Sequence, residues 1–247
     1  MPRFYVNVPL NPGQEIQLPD DVVRHIHVIR LRAQDQVVLF NGDGNEYPAT
    51  VIEINKKSIL ARINNIVTNI FKQKITINLL LCVIANDKMD IAIQKAVELG
   101  VTTITPILSE RSQPLNHERA IKRLEHWKKI IISSAEQCGN NILPNLENPI
   151  HLKNIALQNP DGVKLVLCPE IPEVASNKES PIDSNLLSIH LLVGPEGGLS
   201  QQEINWVTQN NFVPVQLGNL VLRTETAVIA GLSYVQLKYG NWSFTKS

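Results

Sequence analysis

Two stretches near the C-terminus concentrate the residue types that chemistry needs. The first is Leu192-Val193-Gly194-Pro195-Glu196-Gly197-Gly198-Leu199-Ser200, followed by Gln201, Gln202 and Glu203. An apolar run ends at Val193, three glycines and a proline surround Glu196, and Ser200 with Glu203 spells the reciprocal capping box that opens a helix. Glycines let backbone groups approach a ligand closely or take positive φ, and the free N–H groups of a helix start favour acceptor atoms. A strand-to-helix turn requires fewer glycines than this, so the segment reads as a ligand loop. The second stretch, Leu217-Gly218-Asn219-Leu220-Val221-Leu222-Arg223-Thr224-Glu225-Thr226-Ala227, again joins a strand, a glycine turn and a helix start. Capping explains Thr224, but a cation at a helix N-terminus opposes the macrodipole. Arg223 therefore reads as binding a carboxylate or phosphate, or as a catalytic group.

Other chemistries lack their parts. No G-x-G-x-x-G follows a predicted strand, and there is neither a G-x-x-x-x-G-K-[ST] phosphate loop nor a G-x-S-x-G nucleophile elbow. The three cysteines, Cys82, Cys138 and Cys168, form no C-x-x-C pair or Cys/His box, so neither disulfide nor metal is expected; Cys82 and Cys168 sit in apolar runs as small core residues.

These residues must be positioned by a chain of 247 residues, 43% hydrophobic and 19% charged, enough for an ordinary core. No apolar run is long enough to span a membrane, and no basic-then-apolar leader opens the chain, so a cytoplasmic protein is the default. Basic and acidic residues balance at 23 each. The charge is uneven, however: from Thr105 to Ile130 six cations face three acids, which suits either a solvated helix face or a phosphate-facing patch.

Residues 1 to about 70 read as short strands (3–8, 14–18, 36–41, 46–54 and 58–63) around one helix with the apolar stripe Val22, Val23, Ile26, Ile29. Five strands and a helix in that length suggest a small β-barrel. After Lys74 strands and helices alternate, which argues for a largely parallel sheet covered by helices. Strands are expected at 75–85, 101–107, 163–168, 189–193 and 213–217. Helices are expected from Asp87 (apolar at Met89, Ile91, Ala92, Ala96, Val97, Leu99), from Asn116 to about Cys138, after Ser200, and from a Thr224 cap; 169–187 is a loop.

The pair GPEGGLSxxE and LGxxxLRTETA is similar to the C-terminal signature of the SPOUT class of methyltransferases and, within it, resembles the bacterial 16S ribosomal RNA (uracil-N3) methyltransferases. The likeness continues through DKMDIAIQKAVELGV (87–101), ITPILSERS (104–112), AEQCG (135–139) and the N-terminal HIHVIRLRAQD (25–35). It thus covers nearly the whole chain. The resemblance implies a PUA-like β-barrel RNA-binding domain over 1–72 and an α/β trefoil-knot methyltransferase domain over 73–247. It further implies S-adenosylmethionine as cofactor, the ribosomal RNA of the small subunit as partner, and a homodimer. Pro169, Leu192, Gly194, Glu196, Gly197, Gly198, Leu217, Gly218, Leu222 and Thr224 fall on the family's cofactor positions. Arg223 is the expected charge-stabilising group, and Glu196 or Glu225 the proton acceptor. Arg3, His25, Arg30, Lys88, Lys95 and Arg111 are the expected RNA contacts. Two positions depart from the pattern: Asn140 after AEQCG and Leu220 before VLR stand where the family commonly has arginine. A SPOUT enzyme for transfer RNA or a ribose 2′-hydroxyl, and a non-catalytic ribosome-assembly protein, are the rival readings.

Overall fold

The computed structural model describes residues 1–68, 74–155, 162–170 and 188–242. The chain divides into two compact units, Met1–Lys72 with Ile132–Leu143, and Gln73–Ile131 with Pro144–Ser247.

In the first unit β1 (Arg3–Tyr5), β2 (Glu15–Gln17), β3 (Gln36–Phe40), β4 (Asn45–Ile54), β5 (Ile59–Ile63) and β6 (Val67–Thr68) form a six-stranded sheet, with α1 (Asp20–Ile29) between the second and third. The alternation in β4 is the reason it folds as it does: Tyr47, Ala49 and Val51 are buried and their neighbours are not. Val22, Val23 and Ile26 bury against this sheet. Ile29 is 40% exposed, so the apolar stripe of α1 is one residue shorter than its spacing suggests. The end of the long helix His117–Cys138 and the chain just after it join this unit through their polar groups. Tyr5 N–H donates to Glu136 Oε1 at 3.0 Å, and the Arg3 guanidinium bridges Glu46 Oε1 (2.7 Å) and Asn141 Oδ1.

The second unit holds β7 (Thr76–Cys82), α2 (Asn86–Glu98), β8 (Thr103–Leu108), the start of α3 (His117–Cys138), β9 (Asn145–Leu146) and β10 (Ile150–His151). There follow β11 (Val163–Leu167), β12 (Ser188–Val193), α4 (Gln201–Gln209), β13 (Val213–Val215) and α5 (Thr224–Lys238). Its strands are parallel in the order β10-β8-β7-β12-β11-β13, with β9 on β8. Every residue of β12 is buried, which a central parallel strand covered on both faces demands. Helix α5 packs on α2 and β12. Gly231 makes the close approach possible, since a Cβ there would lie 2.7 Å from Leu167 Cδ1. Cys82 and Cys168 are buried in the core, which pushes their thiols up to about 12 and about 11; Cys138 is exposed. No helix of the described residues is long and apolar enough to cross a membrane.

Several local expectations shift. Strands β6, β9 and β10 are two residues each, too short for a period to register. Helix α2 begins at Asn86 with Ala85 as its cap, not at Asp87. Ile93 is buried there while Ile91 is 43% exposed. Of the loop expected over 169–187, residues 171–187 lie outside the described residues, as does the boundary expected at 72/73.

Candidate functional site

A cavity of about 830 Å³ opens at the carboxyl ends of β11, β12 and β13, where Leu167, Val193 and Val215 reach its wall. Open parallel sheets bind ligands at that edge. The connections leaving these three strands supply the rest of the wall: 168–170, 194–199 and 216–224. Lys88 from α2 and Arg111 close the other side.

The glycine loop has a defined geometry. Gly198 N–H donates to Pro195 O at 2.9 Å and closes a four-residue turn, with Gly198 at φ +69°. A Cβ at Gly198 or at Gly218 (φ +79°) would meet no protein atom within 4 Å, so both positions border open space. Gly197 leaves room for a neighbour instead: its carbonyl accepts from Arg111 Nη1 at 2.7 Å, and a Cβ would stand 3.4 Å from Arg111 Cδ. Glu196 Oε1 accepts from Ala85 N–H at 3.2 Å, which sets an acid at the N-terminus of α2, favoured by the dipole.

The expected capping box is present, with Ser200 Oγ and the Glu203 carboxylate bonded to each other's backbone. Glu203 does more than cap. It is only 2% exposed, and it accepts from Ser200 N–H (2.9 Å) and from Glu110 N–H (2.8 Å), 93 residues away. One buried carboxylate thus fixes the segment carrying Arg111 against the glycine loop. Replacing it by Gln turns one acceptor oxygen into a donor facing an N–H. Glu203→Gln is expected to cost about 1–3 kcal/mol, read as a melting temperature lower by roughly 2–10 °C in calorimetry; an unchanged midpoint would sink the clamp.

The second motif is tied to the first through Thr224. The cap of α5 is Arg223 (φ −64°, ψ 153°), not Thr224, which is the first helical residue. The Thr224 hydroxyl donates instead to Gly194 O at 3.3 Å, linking the two loops. Arg223 is exposed at the cavity wall, and among the described residues its guanidinium has no hydrogen-bond partner.

Of the expected cofactor positions, Pro169, Gly194, Glu196, Gly197, Gly198, Leu217, Gly218, Leu222 and Thr224 all line this cavity. Leu192 does not; it is fully buried in the core with Leu80, Cys82 and Val166. Arg223, Lys88 and Arg111 share the cavity. Glu225 lies one residue into α5, partly buried, with Oε2 lacking a partner. Lys95 is away from the cavity and paired with Glu98 at 2.8 Å. Arg3, His25 and Arg30 belong to the first unit. There Arg3, 16% exposed, is engaged by Glu46 and Asn141, while His25 and Arg30 are exposed.

Sequence reasoning missed Glu170, Gln201 and Gln216 on the wall. Gln216 flanks the glycine turn and was within reach of the rule that strand ends bear ligand sites. Of the two departures, Asn140 turns inward, its Oδ1 accepting from Ile142 N–H at 3.0 Å, whereas Leu220 is 81% exposed on the cavity wall.

The sequence matches the family described as RNA methyltransferase domain over residues 71–236, and that described as RNA methyltransferase PUA domain over residues 18–64. Ribosomal RNA small subunit methyltransferase E of Buchnera aphidicola subsp. Schizaphis graminum is 34% identical over 246 residues, 98% of each chain. Its counterpart in Rickettsia conorii is 30% identical over 242 residues, 95% of each. Among solved structures, ribosomal RNA small subunit methyltransferase E of Neisseria gonorrhoeae bound to S-adenosyl methionine superposes with a TM-score of 0.88 at 35% identity, covering 98% of this chain and 100% of that one. A methyltransferase of Legionella pneumophila in complex with the same cofactor gives 0.87 at 33% identity, covering 97% and 98%.

Proposed function

We propose, from the premise that this chain belongs to the RNA methyltransferase family and within it to the ribosomal RNA small subunit methyltransferase E group, that it methylates N3 of a uridine in 16S ribosomal RNA. The observation that carries the reading is that one cavity gathers both glycine motifs and the Arg223 guanidinium, which has no partner among the described residues. The cavity fits S-adenosylmethionine. Its volume of about 830 Å³ is that of a small-molecule pocket, and Gly198 and Gly218 leave space a side chain would fill. When bound, the cofactor supplies an electrophilic methyl group on sulfur.

The chain's own residues do the rest. Backbone groups of 194–198 and 216–218 grip the cofactor, and Leu217 and Leu222 provide its apolar wall. The uracil N3–H must lose its proton as N3 bonds to the methyl carbon and the S–CH₃ bond breaks. Charge then develops on the ring oxygens, and Arg223 stabilises it. Glu196 is held at the α2 N-terminus, which suits an orienting role. Glu225 is the other candidate proton acceptor, its Oε2 buried and, among the described residues, without a partner. N3 lies on the pairing edge, so the uridine reacts unpaired or splayed out. Lys88 and Arg111 hold its flanking phosphates, and His25 and Arg30 of the PUA-like domain (1–72) bind RNA, while 73–247 forms the knotted catalytic domain. The protein works in the cytoplasm, where small subunits are made.

The functional unit is a homodimer. Leu220 and Val221 are 81% and 82% exposed, and α5 is apolar around its circumference with Ile229 and Leu237 at the surface, a composition that calls for burial on both sides. The Leu220→Asp/Val221→Asp variant is expected to sediment at half the mass of the unaltered protein with its helix content retained. An unaltered protein that sediments as a monomer sinks the dimer.

The experiment that tests the function is transfer of labelled methyl from S-adenosylmethionine to small ribosomal subunits lacking native modification, with nucleoside mass spectrometry of the product. Appearance of 3-methyluridine supports the assignment. Label in any other nucleoside overturns it.

A further inference from the structure

Helix α3 carries a face that the reading above leaves unused. Arg119, Lys122, Arg123 and His126 recur at i, i+3, i+4 and i+7, which places them within an arc of roughly 100° on a helix of 3.6 residues per turn. Arg119, Lys122 and His126 are exposed and Arg123 is half-buried. Lys129 continues the row, Glu118 and Glu125 lie along one flank, and Lys128 points to the opposite side.

Part of this face works against the helix, although Glu118–Lys122 and Glu125–Lys129 are favourable pairs four residues apart. Helices gain from opposite charges four residues apart and lose from like charges there. Here Arg119 and Arg123 are a like pair at that spacing, and Lys122 and His126 become one when the imidazole is protonated. Burial, and then the nearby Arg119, push the Arg123 guanidinium below its usual range, and Asp90 of α2 offsets this only in part. Among the described residues Arg123 Nη1 has no hydrogen-bond partner, nor has Asp90 Oδ1, while Asp90 Oδ2 holds His126 Nε2 at 2.7 Å. One carboxylate, Asp90, therefore faces the Arg123 guanidinium and the His126 imidazole.

The position of the face gives it a use. Asp90 lies two residues beyond Lys88 on α2, and Lys88 lines the cavity. The His126–Asp90 contact thus ties the row of cations on α3 to the helix that brings Lys88 to the cavity.

We propose that this face of α3 (Arg119, Lys122, Arg123 and His126) is a track for the phosphate backbone of the RNA whose target base enters the cavity. The proposal rests on the RNA-methyltransferase reading and adds a surface to it. Cations that meet phosphates release bound counterions, so binding through them weakens with salt.

The test measures affinity for unmodified small-subunit ribosomal RNA across a salt series, together with methyl transfer to the same RNA. Arg119→Gln/Lys122→Gln alters two exposed side chains. It is expected to make the slope of log K against log salt shallower by roughly 1.4, at about 0.7 per phosphate contact on single strands. KM for RNA should rise severalfold, with kcat at saturating RNA and cofactor affinity unchanged. Lys128→Gln, which removes a charge from the opposite side of the helix, should leave the slope alone. A double variant with the parent slope and intact methyl transfer overturns the track, as does a Lys128→Gln loss of equal size per charge. An unaltered protein that transfers no methyl to this RNA, while the double variant still loses slope, keeps the track and overturns the methyl-transfer reading.

Discussion

Arg223→Ala is expected to lower kcat for methyl transfer by roughly 10²–10³, about 2.7–4 kcal/mol of lost transition-state stabilisation, with cofactor affinity within about twofold of the parent. The size follows from where the guanidinium stands. It is at the cavity wall, at the cap position of α5, and takes no partner among the described residues. A cation there opposes the helix dipole, so the fold gains nothing from it locally. Its worth must come from an anionic group that arrives with the substrate, and the ring charge created when N3 gives up its proton is such a group. Because that charge is absent from the ground state, the loss should fall on kcat rather than on binding. Calorimetry with S-adenosylmethionine and single-turnover transfer separate the two. A variant that loses cofactor affinity by as much as it loses rate would make Arg223 a binding residue, and one that keeps its rate would remove it from the chemistry.

Gly198→Val is expected to weaken cofactor binding by tenfold or more. Gly198 sits at φ +69° and its N–H closes the turn on Pro195 O at 2.9 Å. The left-handed region costs an L-residue roughly 1–2 kcal/mol, and more when it is β-branched. No protein atom stands in the way of the new side chain, so the penalty is one of backbone conformation. The loop can relieve it in the free protein by leaving the turn, and the cofactor must then restore the turn as it binds. The strain therefore appears in affinity, at about 1.4 kcal/mol per tenfold. Gly198→Ala, without the β-branch, should lose less. Equal affinity in all three proteins would show that the turn does not hold the cofactor.

The two departures from the family pattern gain physical meaning from their surroundings. Asn140 closes a turn by accepting from Ile142 N–H, a task an arginine could not perform, so its place is explained by the local chain. Leu220 adds to an exposed apolar pair with Val221 at the cavity wall, where the proposed second subunit would cover it.

Much of this was legible in the residue string, for reasons that are local. The capping box at Ser200 and Glu203 and the positive φ at Gly198 and Gly218 are properties of a few adjacent residues, and spacing alone reveals them. The alternation of β4 and the continuous burial of β12 follow from the two-residue period and from its absence. Nine of the ten cofactor positions that the family resemblance implied line one cavity, in the connections that follow β11, β12 and β13. Tertiary structure alone decided what distant groups do to one another. Glu203 looked like a cap and is also a clamp on Glu110; Thr224 looked like a cap and bonds Gly194; Glu196 looked like a proton acceptor and accepts from Ala85 N–H. Arg3 looked like an RNA contact and is enclosed by Glu46 and Asn141, and Leu192 looked like a cavity wall and faces the core. In each case a hydrogen-bonding or apolar side chain met a partner that sequence distance conceals. Which partner satisfies a polar group depends on the packing of strands that are neighbours only in space.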